Sequence, residues 1–253
     1  MTALARPLPL LVVVSVLSAV GLVACGARLE SNGSDAGVGM TSDATIAFGE
    51  GGSAPDASAK TWPATRFASK VVSFTAGKCA GYGKDGLPAL VVGPPVGYGT
   101  LQGSTDVVSL GEGGQIVVSV EPNEIVDGEG PDFVVFENAF FAGGNPTKPH
   151  ADLGEVSISE DGNTWYTYPC TATAYPYGAC AGWHPVFSAP GNDVSPIDPK
   201  TSGGDLYDLA GTGMTKVRFI RIVDKSLAPC TEEVDNYGFD LDGIGVINGT
   251  INP

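Results

Sequence analysis

Polar and apolar residues alternate with a period of two along much of the chain. In "GQIVVSVE" Ile116, Val118 and Val120 share one face, and in "GEVSISEDG" Val156 and Ile158 face one way with Ser157 and Ser159 opposite. Further β-rich runs, "KVVSF", "DVVSL", "DFVVF", "TWYTY", "KVRFIRIVD" and "YGFDLDGIGVI", are separated by Gly, Pro, Asn and Asp. Short runs with turn residues between them predict an all-β sandwich or barrel and not βαβ units. Asp161-Gly162 between "VSIS" and "TWYTY" is a two-residue hairpin signal. Within "KVRFIRIVD" the alternation groups Val217, Phe219, Arg221 and Val223 on one face, which puts a guanidinium where apolar side chains point. Trp165 is expected in the core. Phe239 and Leu241 share a face, but Ile244 and Val246 fall on the other unless an extra residue intervenes, and Gly243 suits such a bulge. Asp240 and Asp242 would then lie opposite the core, with Asp242 aimed outward along a bent edge. Helical period is nearly absent, with one turn expected in "GGDLYDLAGTG".

The first residues follow a different pattern. After Arg6, "LPLLVVVSVLSAVGLVAC" is an apolar run of signal-peptide length, broken by Pro9. It closes on "LVAC", which is similar to a bacterial lipobox, so residues 1–24 are expected to form a lipoprotein signal peptide with Cys25 as the lipidated residue. Gly26 is not the Asp that retains such proteins at the inner membrane, which tilts the expectation towards the outer membrane or cell surface. Residues 25–64 are small and polar without an apolar period, the composition of a disordered tether. Residues 65–253 then form one β-sandwich domain.

Charge and cysteines narrow the classes. The chain has 253 residues, 13 bases, 28 acids and a net charge of −15, and losing the leader removes Arg6 but no acid. Nucleic acid is excluded as a partner, because its phosphates need a basic face. Divalent cations, or simple solubility, fit the acidity. Apart from Cys25, the even set Cys79, Cys170, Cys180 and Cys230 in an exported chain reads as disulfides. The compact "CTATAYPYGAC" favours Cys170 with Cys180, leaving Cys79 with Cys230. No C-x-x-C pair supports zinc. Two "NG[ST]" sequons, at Asn32 and Asn248, are chance matches in a chain with a bacterial lipobox.

The hairpin "VSISEDGNTWYTY" resembles the S-x-D-G-x-x-W element of discoidin (coagulation factor 5/8 C-type) domains, and "KVRFIRIVD" resembles the arginine strand that follows it there. "IVDGEGPDFVVFENAF" and "DNYGFDLDGIGVING" are similar to a bacterial cell-surface subgroup. The resemblance implies a jelly-roll β-sandwich of galactose-binding-like type. It departs from the family in the opening "CAGYGKDGLPALVVGPPVGYG" and in a long inserted loop, Thr171 to Asp205. Related jelly rolls carry calcium near their terminal strands, which would fall beside "EEVDNYGFDLDG".

Acids in Gly-rich turns suit calcium, which takes six to eight oxygens. The candidate ligands are Asp127, Glu129 and Asp132 in one turn, and Glu232, Glu233, Asp235, Asp240 and Asp242 in a second stretch, with solvated loop acids as the alternative. Glu137 is in phase with Phe133 and Val135, so its charge needs a partner; Arg221 is expected to pair with Glu137 or Asp240. Sugar recognition needs aromatic platforms with a few polar groups, and Tyr175, Tyr177, Trp183 and His184 in the insertion supply both, unless those rings only pack the loop onto the sandwich. Hydrolysis finds little support: His150 and His184 each lie beside a proline, and no G-x-S-x-G elbow occurs. The expected function is therefore a lipid-anchored binding module for carbohydrate. An envelope scaffold that binds a partner protein is the alternative, and a secreted hydrolase the second.

Overall fold

Alternation in the sequence becomes two main antiparallel sheets that share one core. The computed structural model describes residues 62–231 and 233–251; the expected leader, Cys25, the tether as far as residue 61, and Glu232 lie outside them. In chain order the strands are β1 (Lys70–Thr75), β2 (Val108–Ser109), β3 (Gln115–Ser119), β4 (Glu124–Val126), β5 (Phe133–Glu137), β6 (Phe140–Phe141) and β7 (Pro149–His150). There follow β8 (Gly154–Ser159), β9 (Tyr166–Thr167), β10 (Asp205–Tyr207), β11 (Lys216–Val217), β12 (Phe219–Asp224), β13 (Asp240–Val246) and β14 (Gly249–Thr250). One sheet runs β1-β3-β12-β8-β9 and the other β10-β5-β13-β2; β11-β4-β14 and β6-β7 make smaller ribbons. The fold is all-β, with helical geometry confined among the described residues to three single 3₁₀ turns.

The core lies between the two main sheets. Ile116, Val118, Val156 and Ile158 enter it as their alternation requires, joined by Ile220 and Ile222 from β12 and by Phe133, Val135, Tyr207, Leu241, Ile244 and Val246 from the facing sheet. The expected bulge is present: register shifts between Leu241 and Gly243, so Leu241 and Ile244 both reach the core although they are an odd number of positions apart.

Four expectations change. "KVRFIRIVD" divides at Arg218 into β11, paired with β4, and β12, paired with β3 and β8. Within β12 the buried residues are Ile220, Ile222 and Asp224, so Phe219, Arg221 and Val223 face away from the core. Trp165 lies on that same outer face, 4.6 Å beneath the Arg221 guanidinium, and not in the core. The hairpin joins β8 to β9, but its connection spans residues 160–165. Asp161 organises it by accepting from the amides of Thr164 and Asn163, which hold its carboxyl at about 2. "GGDLYDLAGTG" holds strand β10 where a helical turn was expected.

Both disulfides form as the spacing suggested: Cys79–Cys230 closes a separation of 151 residues and Cys170–Cys180 one of 10. Two such bonds fit an oxidising, non-cytoplasmic compartment. Among the described residues no helix is long and apolar enough to cross a membrane.

Loop-closure entropy predicts unequal losses. Replacing Cys79 and Cys230 by Ser is expected to cost about 5 kcal/mol, and the same change at Cys170 and Cys180 about 3 kcal/mol. Guanidinium unfolding of the two double variants measures the difference; equal losses would contradict it.

Candidate functional site

The acidic turn after β4 meets the end of β10. Asp132 is fully buried, yet its oxygens are occupied: Oδ1 accepts from the Gly128 amide and Asn248 Nδ2, and Oδ2 from the Leu209 amide. That fixes Asp132 beside exposed Asp127 and half-buried Asp208, and one oxygen from each lies within 4.8 Å of the others. This triad is able to hold a metal ion. Glu129 points into solvent and stays outside it; Asp208, which sequence reasoning passed over, takes the third place.

The second acidic stretch does not assemble. Asp235 is exposed, whereas Asp240 and Asp242 are buried on the outer face of the β5–β13 pair. β13 is flanked by β5 and β2, so Asp242 lies on a central strand and not along an edge. Asp242 accepts the Val96 amide through both oxygens, which ties the 93–99 loop over the sheet. Asp240 Oδ2 accepts from Asn138 Nδ2. Burial pushes the Asp240 carboxyl up to about 7 and the Asp242 carboxyl up to about 8.

The Arg221–Glu137 pair is not formed, and no pair joins Arg221 to Asp240. Arg221 belongs to the β12 sheet and Glu137 to the β5 sheet. Arg221 instead lies over Trp165 and donates from Nη2 to Ser157 Oγ at 3.2 Å. Glu137 does face the core, since it pairs in register with Leu241, and is 1% exposed. Its oxygens have no hydrogen-bond partner of good geometry among the described residues.

The insertion carries the remaining candidates. Cys170–Cys180 draws Tyr177 and Trp183 onto Leu153, where Tyr175, Tyr177 and Trp183 meet edge to face with centroids 5.8–6.4 Å apart. Trp183 Nε1 donates to the Cys180 carbonyl, so this ring is anchored from within, while Tyr175 remains exposed. Gly182 makes the following turn possible: its φ is +90°, and a Cβ there would lie 2.0 Å from the Asp152 carbonyl oxygen. The turn aims the Gly182 and Trp183 amides at Asp205 Oδ2, and His184 Nδ1 lies 2.6 Å from Asp205 Oδ1. Asp205 therefore fixes the imidazole and leaves Nε2 available to a ligand. His184 borders a cavity of about 250 Å3 whose other walls include Tyr168, Ala179, Tyr207 and Asp208. Both phenols are used, Tyr207 donating to the Ala179 carbonyl and Tyr168 to that of Asp208. Among the described residues no hydroxyl or thiol is hydrogen-bonded to His184.

Asp205 was missed because its segment read as loop and helical turn. The alternation of Asp205, Tyr207 and Leu209 in "DLYDL" was the available signal. No known protein-family model matches this chain, and no curated protein matches it either.

Buried acids with raised pKa values bind protons more tightly when folded than when unfolded. Stability should therefore be highest near pH 4 and fall as pH rises to about 8, because Asp240 and Asp242 must then ionise in place, and the raised Glu137 carboxyl acts in the same direction. Asp161 acts in the opposite sense, only below about pH 4. Urea unfolding at pH 5 and pH 8 in chelator checks the sign. Asp242→Asn, whose amide oxygen still accepts from Val96, should flatten the fall above pH 6.

Proposed function

We propose that this protein is an exported, lipid-anchored binding module for cell-surface or extracellular carbohydrate, built on a jelly roll of galactose-binding-like type. The observation that carries the reading is His184, braced by Asp205 at the rim of a 250 Å3 cavity beside the Trp183–Tyr175–Tyr177 cluster. Sugars are gripped by an aromatic face and a few fixed polar groups. Here the exposed Tyr175 ring supplies such a face, His184 Nε2 and Asp208 supply polar groups, and the disulfide limits the ordering that a ligand would otherwise have to impose. The "LVAC" leader supports lipid anchoring at Cys25, towards the outer membrane or cell surface.

Calcium is the ion proposed for Asp127, Asp132 and Asp208, because two carboxylates from a Gly-rich turn and a third from the end of β10 suit a hard, oxygen-seeking cation. Asp132 is already set by its backbone donors, so an ion there would tie the β4–β5 turn to the segment after β10. Its role is structural.

Two experiments test these readings. A glycan array with the purified protein should give a defined set of sugars, and His184→Ala and Tyr175→Ala should each weaken binding at least tenfold. Silence across the array, with an envelope protein co-purifying, would replace the sugar by a protein partner. For the ion, hundredfold excess calcium over its dissociation constant should stabilise the chelator-treated protein by about 2.7 kcal/mol. In Asp127→Asn the part of that gain contributed by this turn should disappear.

A further inference from the structure

Arg221 is a base without an acid. Along the same stretch Lys216 and Arg218 hold Glu124, Lys216 also reaches Glu160, and Lys225 holds Glu155 at 3.3 Å. Glu155 shares the outer face of the sheet with Arg221, but Lys225 has taken it. Among the described residues no carboxylate pairs with Arg221, whose guanidinium lies 4.6 Å over the Trp165 ring and donates from Nη2 to Ser157 Oγ at 3.2 Å. A guanidinium carries five N–H donors, and Ser157 uses one of them. Nε is buried without a partner; Nη1 is not buried, and with the second Nη2 proton it remains for a group from outside the fold.

The position of Arg221 is as telling as its chemistry. β12 is the third of five strands, so Arg221 stands at the middle of the sheet's outer face. Strand pairing sets Ser73, Val117, Arg221, Ser157 and Thr167 in one row across all five strands. Cross-strand partners share a face, so the guanidinium is bordered by hydroxyls and one valine. Ser157 Oγ lies 2.9 Å from Thr167 Oγ1. Because Ser157 accepts from Arg221, its own O–H can be given to Thr167, which leaves the exposed Thr167 hydroxyl a proton for an outside oxygen. The β8–β9 connection bounds the row on one side, with Trp165 against Arg221 and Gly162 beside the Phe219 ring.

We propose that the outer face of this sheet binds the carboxylate of a sugar acid, with Arg221 as the anchor. A guanidinium laid on an indole and tied to a serine has already lost its freedom, so a carboxylate meeting its Nη edge makes two parallel bonds without first ordering a side chain. The hydroxyls of Ser73 and Thr167 suit those of a sugar ring, and the small side chains of the row form a floor with no pocket for an apolar group. The net charge of −15 repels a polyanion. The occupant is therefore a single carboxylate on an otherwise neutral glycan. His184 is braced from β10, in the other sheet, and the Arg221 face stands whether or not that cavity takes sugar.

The probe is D-glucuronate, with its methyl ester and inorganic phosphate as controls, read by calorimetry and by indole fluorescence, since Trp165 touches the guanidinium. Glucuronate should bind saturably, and the ester, which keeps the ring and loses the charge, at least tenfold more weakly, as should phosphate. Arg221→Lys keeps the charge without the fork and should weaken glucuronate about tenfold, whereas Arg221→Gln should abolish binding. Where the Arg221 variants do not fold, Thr167→Val, at an exposed position, should weaken it about fivefold. His184→Ala should leave glucuronate binding unchanged, so a silent array of neutral sugars bears on the cavity alone. The site is overturned by absence of saturable binding, by ester or phosphate binding as tight as glucuronate, by binding unchanged in the Arg221 variants or in Thr167→Val, or by binding lost in His184→Ala.

Discussion

The pairing of β5 with β13, offset by one residue at Asp242, is the constraint on which the rest of the domain depends. Every residue in both strands is buried, so the pair needs cover on both faces. The opposite sheet covers one face. On the other, Val186 from the insertion packs on Val134 and Phe136, and the 93–99 loop is tied down through Asp242. The two loops are joined in turn, since the Gly97 and Gly99 amides donate to the Ser188 and Val186 carbonyls. The long insertion is thus one wall of the fold, and the same wall presents the turn that orients His184.

This arrangement divides the buried acids into two kinds. Asp132 and Asp205 sit where loops turn their amides inward, so burial strips water from them and backbone dipoles replace it. Glu137 ends β5 facing the core, where burial and nearby negative charges raise its carboxyl well above the usual range and neither oxygen has a hydrogen-bond partner of good geometry. A carboxylate of the first kind positions its surroundings; one of the second kind is pushed towards its neutral form.

How much of this the sequence showed depends on local contrast. β3 and β8 could be phased because polar residues mark one side of each. β12 could not: Phe219 and Val223 on one face are as apolar as Ile220 and Ile222 on the other, and the choice was made by Ile116 and Val118 across the sheet. Periodicity carries no information about which strands become neighbours. Glu137 was therefore placed on the correct face and given the wrong partner, since Arg221 occupies the other sheet. The bulge near Gly243 was legible because only an extra residue reconciles Leu241 with Ile244. Asp208 was invisible because its proximity to Asp127 and Asp132 is created by the β5–β10 pairing, which brings together segments about 75 residues apart.

Chain order gives β13 a consequence for biogenesis. The strand that seals the core beside β5 begins at Asp240, more than 100 residues after β5 ends at Glu137, and Cys79 waits 151 residues for Cys230. Until then Phe133, Val135 and their flanking acids have no lasting place to go. Topology alone therefore makes closure of the core a late event in chain order.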